Sequence, residues 1–80
     1  EYVLRRHTVT VAELDEALAD PAVIEIDPDY ASRSGQSIRY IGWSDTAGAV
    51  LTVIVVRHEG GLYGSNGWTS NDKDQRRYWE

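Results

Sequence analysis

The stretch "SIRYIGWSDTAGAVLTVIVVRHE", residues 37–59, decides how this chain is read. Its opening alternates: Ile38, Tyr40 and Gly42 point one way, while Arg39, Ile41 and Trp43 point the other, the period of a strand. "DTAG" at 45–48 supplies a hairpin loop. Residues 49–59 are then apolar nearly throughout and rich in β-branched side chains, which predicts a central strand buried on both faces. The apolar run 49–56 is far too short to span a bilayer.

Outward from this hairpin, "AVIEID" (22–27) alternates as a half-buried strand, and residues 28–37 form a loop rich in Pro, Ser and Gly. Gly60 and Gly61 turn the chain into a weaker last strand over 62–68, whose glycines cost stability or mark a bulge. Towards the N-terminus, Thr10 and Glu13 have the spacing of a capping box. Val11, Leu14, Ala17 and Leu18 recur at helical spacing, and Pro21 ends the helix, so the spacing predicts a helix over 11–19. Residues 1–7 read as the last turns of an earlier helix, with Arg5, Arg6 and His7 suited to its C-terminus. Towards the C-terminus, Ser70 or Asn71 caps a final helix carrying Asp72 and Asp74 in its first turn and Lys73, Arg76, Arg77, Tyr78 and Trp79 along it. The order predicts an α+β fold: a four-stranded antiparallel meander with helices from both sequence ends on one face, a two-layer sandwich.

Eighty residues form one domain, 1–80, with a marginal core that oligomerisation or a partner chain would support. A start Met is missing, so a preceding segment is expected. There is no cysteine, hence no disulfide or thiolate metal site, and two histidines alone seldom hold a metal. The formal net charge of −5 argues against nucleic-acid binding driven by overall charge. The charge is uneven, however. Seven acids and no basic residue lie between Glu13 and Asp29, whereas basic residues gather at both ends. A basic face can arise where those ends meet.

Two sets of residues carry candidate chemistry. His7 and His58 are the only histidines, and either could pair with a carboxylate as acid and base. Arg39 and Arg57 lie on predicted strands, where an arginine can bind phosphate bidentately, or else pair across strands. Tyr40, Trp43, Tyr63, Trp68, Tyr78 and Trp79 serve either as large core and interface residues or as stacking platforms for bases. "EGGLYGSNG" (59–67) lacks the phosphate-loop and dinucleotide spacings and is turn chemistry.

"RRHTVTVAELDEALADP" (5–21), "IRYIGWSDTAGAVLTVIVVR" (38–57) and "NGWTSNDKDQRRYWE" (66–80) together resemble, in order and spacing, the BrnT family of type II toxin–antitoxin toxins. The resemblance covers nearly the whole chain. It implies a RelE-like fold missing its opening strand, and a cytoplasmic, cofactor-free and metal-independent endoribonuclease. It also implies an RNA substrate, neutralisation by a cognate antitoxin, and a homodimer or hetero-oligomer. By position it implies His7, Arg39 and Arg57 as the catalytic set, with Arg76, Arg77 and Tyr78 binding substrate. The chain departs from the family pattern at Thr8, where the family has Gly, and at Trp68, where it has Arg. Trp68 points towards the alternative, a catalytically inactive RelE-like protein-binding module.

Overall fold

The described elements are α1 (Val11–Ala19), β1 (Ile24–Ile26), β2 (Ser37–Ser44), β3 (Ala49–His58), β4 (Gly61–Thr69) and α2 (Asp72–Trp79). The structure is a computed structural model and describes residues 9–80, with the backbone alone for 63–65. The helix expected over 1–7, and with it Arg5, Arg6 and His7, lies outside the described residues. No helix among the described residues is long and apolar enough to cross a membrane.

The alternating and β-branched segments close into the hairpin β2–β3, paired antiparallel from Ser37 opposite Val56 to Ser44 opposite Ala49. The four strands lie in the order β1-β2-β3-β4, the expected meander. The turn between β3 and β4 falls one residue earlier than Gly60–Gly61. His58 pairs with Gly61, leaving a two-residue loop in which Glu59 and Gly60 both have positive φ, 48° and 80°. Two such residues make the hairpin turn whose twist matches that of its strands. The glycines of β4 do mark a bulge: Ile54 faces Asn66 but Val55 faces Gly64, so β4 carries an extra residue there.

The two sheet faces are built differently. On one, Leu51, Val53 and Val55 form the core cluster with Ala17 of α1, and Val9, Leu14, Tyr40 and Ala49 pack around it. Burial of these side chains is the main apolar contribution to stability on this face. Two glycines bring α1 down onto the strands. A Cβ at Gly42 would lie 2.1 Å from the carbonyl oxygen of Ala17, and one at Gly67 would lie 2.4 Å from Leu14 Cδ2. The helix begins as expected: Thr10 Oγ1 accepts from Glu13 N at 3.2 Å, and Glu13 Oε1 accepts from Thr10 N at 2.9 Å. Its buried stripe is narrower than the spacing predicted, because Val11 is 73% and Leu18 37% exposed.

Arg39, Ile41, Thr52 and Ile54 point to the opposite face by strand alternation. There α2 docks, with Asn71 as its N-cap accepting from Asp74 N. This corrects the two-layer expectation: the two described helices sit on opposite faces, and the sheet is the middle layer of three. The reason is chemical. The only buried residue of α2 is Asp74, so this helix has no apolar stripe to bury. It lies where a buried cation needs a carboxylate.

Two substitutions test this architecture. Gly42→Ala should cost at least ~1–3 kcal/mol, since the added carbon meets helix backbone rather than a movable side chain. Thr10→Ala should cost ~1 kcal/mol through loss of the cap. Urea denaturation midpoints check both, and an unchanged midpoint for Gly42→Ala would mean that α1 does not sit on β2.

Candidate functional site

A guanidinium in a sheet interior must be paired, because the desolvation of an isolated charge costs more than the fold can supply. Arg39 is 6% exposed, on an interior strand. Its Nε donates to Asp29 Oδ1 at 2.7 Å and its Nη1 donates to Asp74 Oδ2. Asp29 comes from the loop before β2, and Asp74 from the first turn of α2. Asp74 is fully buried and accepts two further bonds, from Thr52 Oγ1 at 2.9 Å and from the Tyr30 hydroxyl at 2.7 Å. Thr52 Oγ1 also lies 2.7 Å from Ser70 Oγ. Among the described residues no buried side-chain polar atom lacks a hydrogen-bond partner.

The electrostatics follow from these contacts. Burial raises the pKa of Asp74, but hydrogen bonds from Tyr30, Thr52 and Arg39, with the Arg39 charge, outweigh it and hold the carboxyl below its ordinary value. Burial and the bond to Asp74 push the Tyr30 phenol up. The Tyr30 ring is a meeting point of cations. Arg39 Cζ and Lys73 Nζ each lie 4.3 Å from its centroid, and Arg77 Cζ lies 5.2 Å away. Such contacts are attractive through the ring quadrupole. Lys73 and Arg77, one helical turn apart, are both exposed, so positive charge is presented to solvent on this side of α2.

The predicted catalytic set is not brought together. Arg39 and Arg57 lie on opposite sheet faces, since Arg39 pairs with Ile54 and Arg57 is an odd number of residues further along β3. Arg39 donates to carboxylates through Nε and Nη1 and is shielded from solvent. Trp68 lies beside it, with its ring centroid 5.8 Å from Arg39 Cζ. Trp68 therefore flanks the buried cation on its own sheet face. Arg57 is accessible and forms a bidentate pair with Asp27, at 2.8 and 3.3 Å. His58 is exposed, 3.7 Å from Glu59. His7 lies outside the described residues.

The predicted substrate-binding set divides as well. Arg76 and Arg77 are exposed on α2. Tyr78 turns inward, and its hydroxyl donates to Asp20 Oδ2. That bond pushes the phenol up to about 12. Tyr78 holds α2 against the α1–β1 connection. The other Asp20 bonds come from Trp43 N at 2.8 Å and, through Oδ1, from Ala22 N at 2.9 Å.

Sequence reading missed Asp20, Asp29, Tyr30, Thr52 and Asp74. Within the acidic block, Glu16 binds the β2–β3 loop through Ser44 Oγ and through Thr46 N and Oγ1. Asp20 binds Trp43 and Tyr78, Asp27 binds Arg57, and Asp29 binds Arg39. The usable signal was Arg39 itself, placed by alternation beside Ile41 on an interior strand, where a cation demands acids.

No family model, curated protein or solved structure matches this chain.

The buried cluster makes two measurable demands. Arg39→Met strands two carboxylates and should cost ~3–5 kcal/mol, a large share of the stability of a domain this size. Thermal or urea unfolding checks it, and a near-neutral change would remove the cluster from its structural role. Because the folded Asp74 pKa lies below the unfolded one, its contribution is complete above the ordinary carboxylate value. It is lost as pH falls through the lowered folded value. Asp74→Asn should therefore lower stability near neutral pH and flatten the acid limb of the stability profile.

Proposed function

We propose that this chain is the toxin of a type II toxin–antitoxin pair, an RNA-directed protein of the BrnT kind that acts in the cytoplasm and is silenced by a cognate antitoxin. The order of three motifs along nearly the whole chain supports the family reading. The observation that carries the RNA reading is the concentration of Lys73, Arg76 and Arg77 on one exposed helix, with Tyr30 beneath two of them. On a chain of net charge −5, such a patch is the place where an RNA backbone finds positive potential.

RNA cleavage without a metal proceeds by attack of a 2′-OH on the adjacent phosphate. A base takes its proton, an acid protonates the leaving oxygen, and cations hold the phosphorane charge. Of the two strand arginines, Arg57 suits the last role. Its partner Asp27 is itself partly exposed, and a solvent-exposed pair contributes little, so a phosphate can compete for the guanidinium. Arg39 holds the fold. His7 is the proton-transfer candidate in this reading, and Arg76 or Arg77 holds the backbone.

One observation favours a second reading, a binding module without cleavage. Arg39 is neutralised by two carboxylates and flanked by Trp68, which leaves a single strand arginine for chemistry.

Induction of the full-length protein alone, with growth and RNA integrity as readouts, separates the two. The toxin reading expects growth arrest and RNA cleavage. It expects Arg57→Ala to reduce cleavage by ~10²–10³-fold and His7→Gln to reduce it by ~10²–10⁴-fold, with antitoxin binding retained. Lys73→Ala combined with Arg77→Ala should weaken RNA binding and reduce its salt dependence. A wild-type protein that harms no cell and cleaves no RNA, yet binds its antitoxin, would establish the binding module.

A further inference from the structure

Beside the cation patch, the outer side of α2 carries a shallow open groove of ≈ 360 Å³ lined by Asp72, Gln75, Arg76, Trp79 and Glu80. Its wall is Trp79, 65% exposed. The ring is held without being covered. It meets Trp43 edge-on at 6.4 Å between centroids and Tyr78 at 4.8 Å, with interplanar angles of 63° and 88°. Trp43 is fixed in turn by its indole N–H, which donates to Asp45 at 2.7 Å. A flat aromatic face, positioned by edge contacts and open to solvent, is a stacking platform.

The polar lining narrows what can stack there. Gln75 Nε2 donates to Ser70 O at 3.1 Å, which ties down one of its two N–H groups and leaves its oxygen as an acceptor. The Asp72 and Glu80 carboxylates are acceptors only. Arg76 is the one donor-rich side chain. Two carboxylates against one guanidinium disfavour a bare phosphate, so the occupant offers donors to the acids and acceptors to the arginine. Every nucleobase carries donors and acceptors, but guanine alone sets two adjacent donors, N1–H and N2–H₂, for a carboxylate beside O6 and N7, which take an arginine bidentately. The N1–H edge is free only when the base is unpaired.

We propose that this groove is a nucleobase subsite that takes an unpaired guanine of single-stranded RNA, stacked on Trp79 and read by Arg76 and the flanking acceptors. The inference rests on the RNA reading above and adds a substrate class to it: single strands bearing guanine, their backbone running over Lys73 and Arg77.

The test uses the full chain and two 12-nucleotide RNAs, oligouridine and the same strand with one central guanosine, both 2′-O-methylated to block cleavage. Fluorescence anisotropy should show the guanosine strand bound ~5- to 100-fold more tightly, with quenching of tryptophan emission. Annealing that strand to a complement should remove the advantage. Trp79→Ala should abolish the preference, and Trp79→Phe should keep most of it. The exposure of Trp79 makes both variants foldable, which thermal unfolding verifies. Lys73→Ala with Arg77→Ala should weaken both strands alike. If the wild type binds both strands equally and Trp79→Ala changes neither, while the double variant weakens both, the guanine subsite is overturned and the RNA reading stands. If the wild type binds no RNA, both fall. If Trp79→Ala instead costs only antitoxin binding, the groove is a protein contact and the subsite is overturned.

Discussion

A guanidinium withdrawn from water in the middle of a sheet has to be met by carboxylates, and half of this molecule is arranged around that requirement. Arg39 draws Asp29 from the loop before β2 and Asp74 from α2 onto one point. Asp29 fixes the loop that carries Tyr30. Asp74 fixes the helix that carries Lys73, Arg76, Arg77 and Trp79. Tyr30 then bonds Asp74 and closes the circuit. Remove the cation and two carboxylates are left buried without a counter-charge, a strongly destabilising defect. The exposed face of α2, where RNA recognition is proposed, therefore owes its position to a residue shielded from solvent.

The other face follows different physics. Gly42 and Gly67 let α1 approach the strands closely, and Leu51, Val53 and Val55 exclude water against Ala17. Such packing is non-directional and tolerates exchange of one apolar side chain for another of like volume. The Arg39 cluster is directional and tolerates almost none. A helix as polar as α2 cannot be held by apolar burial, which is why its anchors, Asp74 and Tyr78, are hydrogen-bonding groups.

Much of the fold was legible because it rests on local signals. Alternation over 37–44, the β-branched run after it and the capping box at Thr10 each fall within a few residues, and each was read correctly. The bulge in β4 was foreshadowed by its glycines. What was not legible depends on contacts far apart in sequence. Asp29, Tyr30 and Asp74 look like ordinary loop and helix-start residues until the chain folds them onto Arg39. The side on which α2 docks could not come from periodicity, since that helix has no apolar stripe to point the way. The same gap hides how the two strand arginines are placed. Arg39 and Arg57 are both strand arginines in the sequence, and only the pairing register shows that the sheet separates them. The acidic block of 13–29 stands out in the sequence only as a run of charge, yet Glu16, Asp20, Asp27 and Asp29 tie loops and strands together.

The wiring of α2 also bears on how the chain folds. The β2–β3 hairpin needs only the closure of a short loop. The bonds that seat α2 join Asp74 to Tyr30, Arg39 and Thr52 across separations of 44, 35 and 22 residues, and Tyr78 to Asp20 across 58. Closing long loops costs entropy before any contact rewards it. The hairpin is thus the expected nucleus, with α2 expected to dock after the rate-limiting barrier. Weakening its anchors should accelerate unfolding and leave refolding nearly unchanged, the behaviour of positions with φ-values near zero. The exposed face of α2 would then be the last part of the molecule to assemble and the first to loosen.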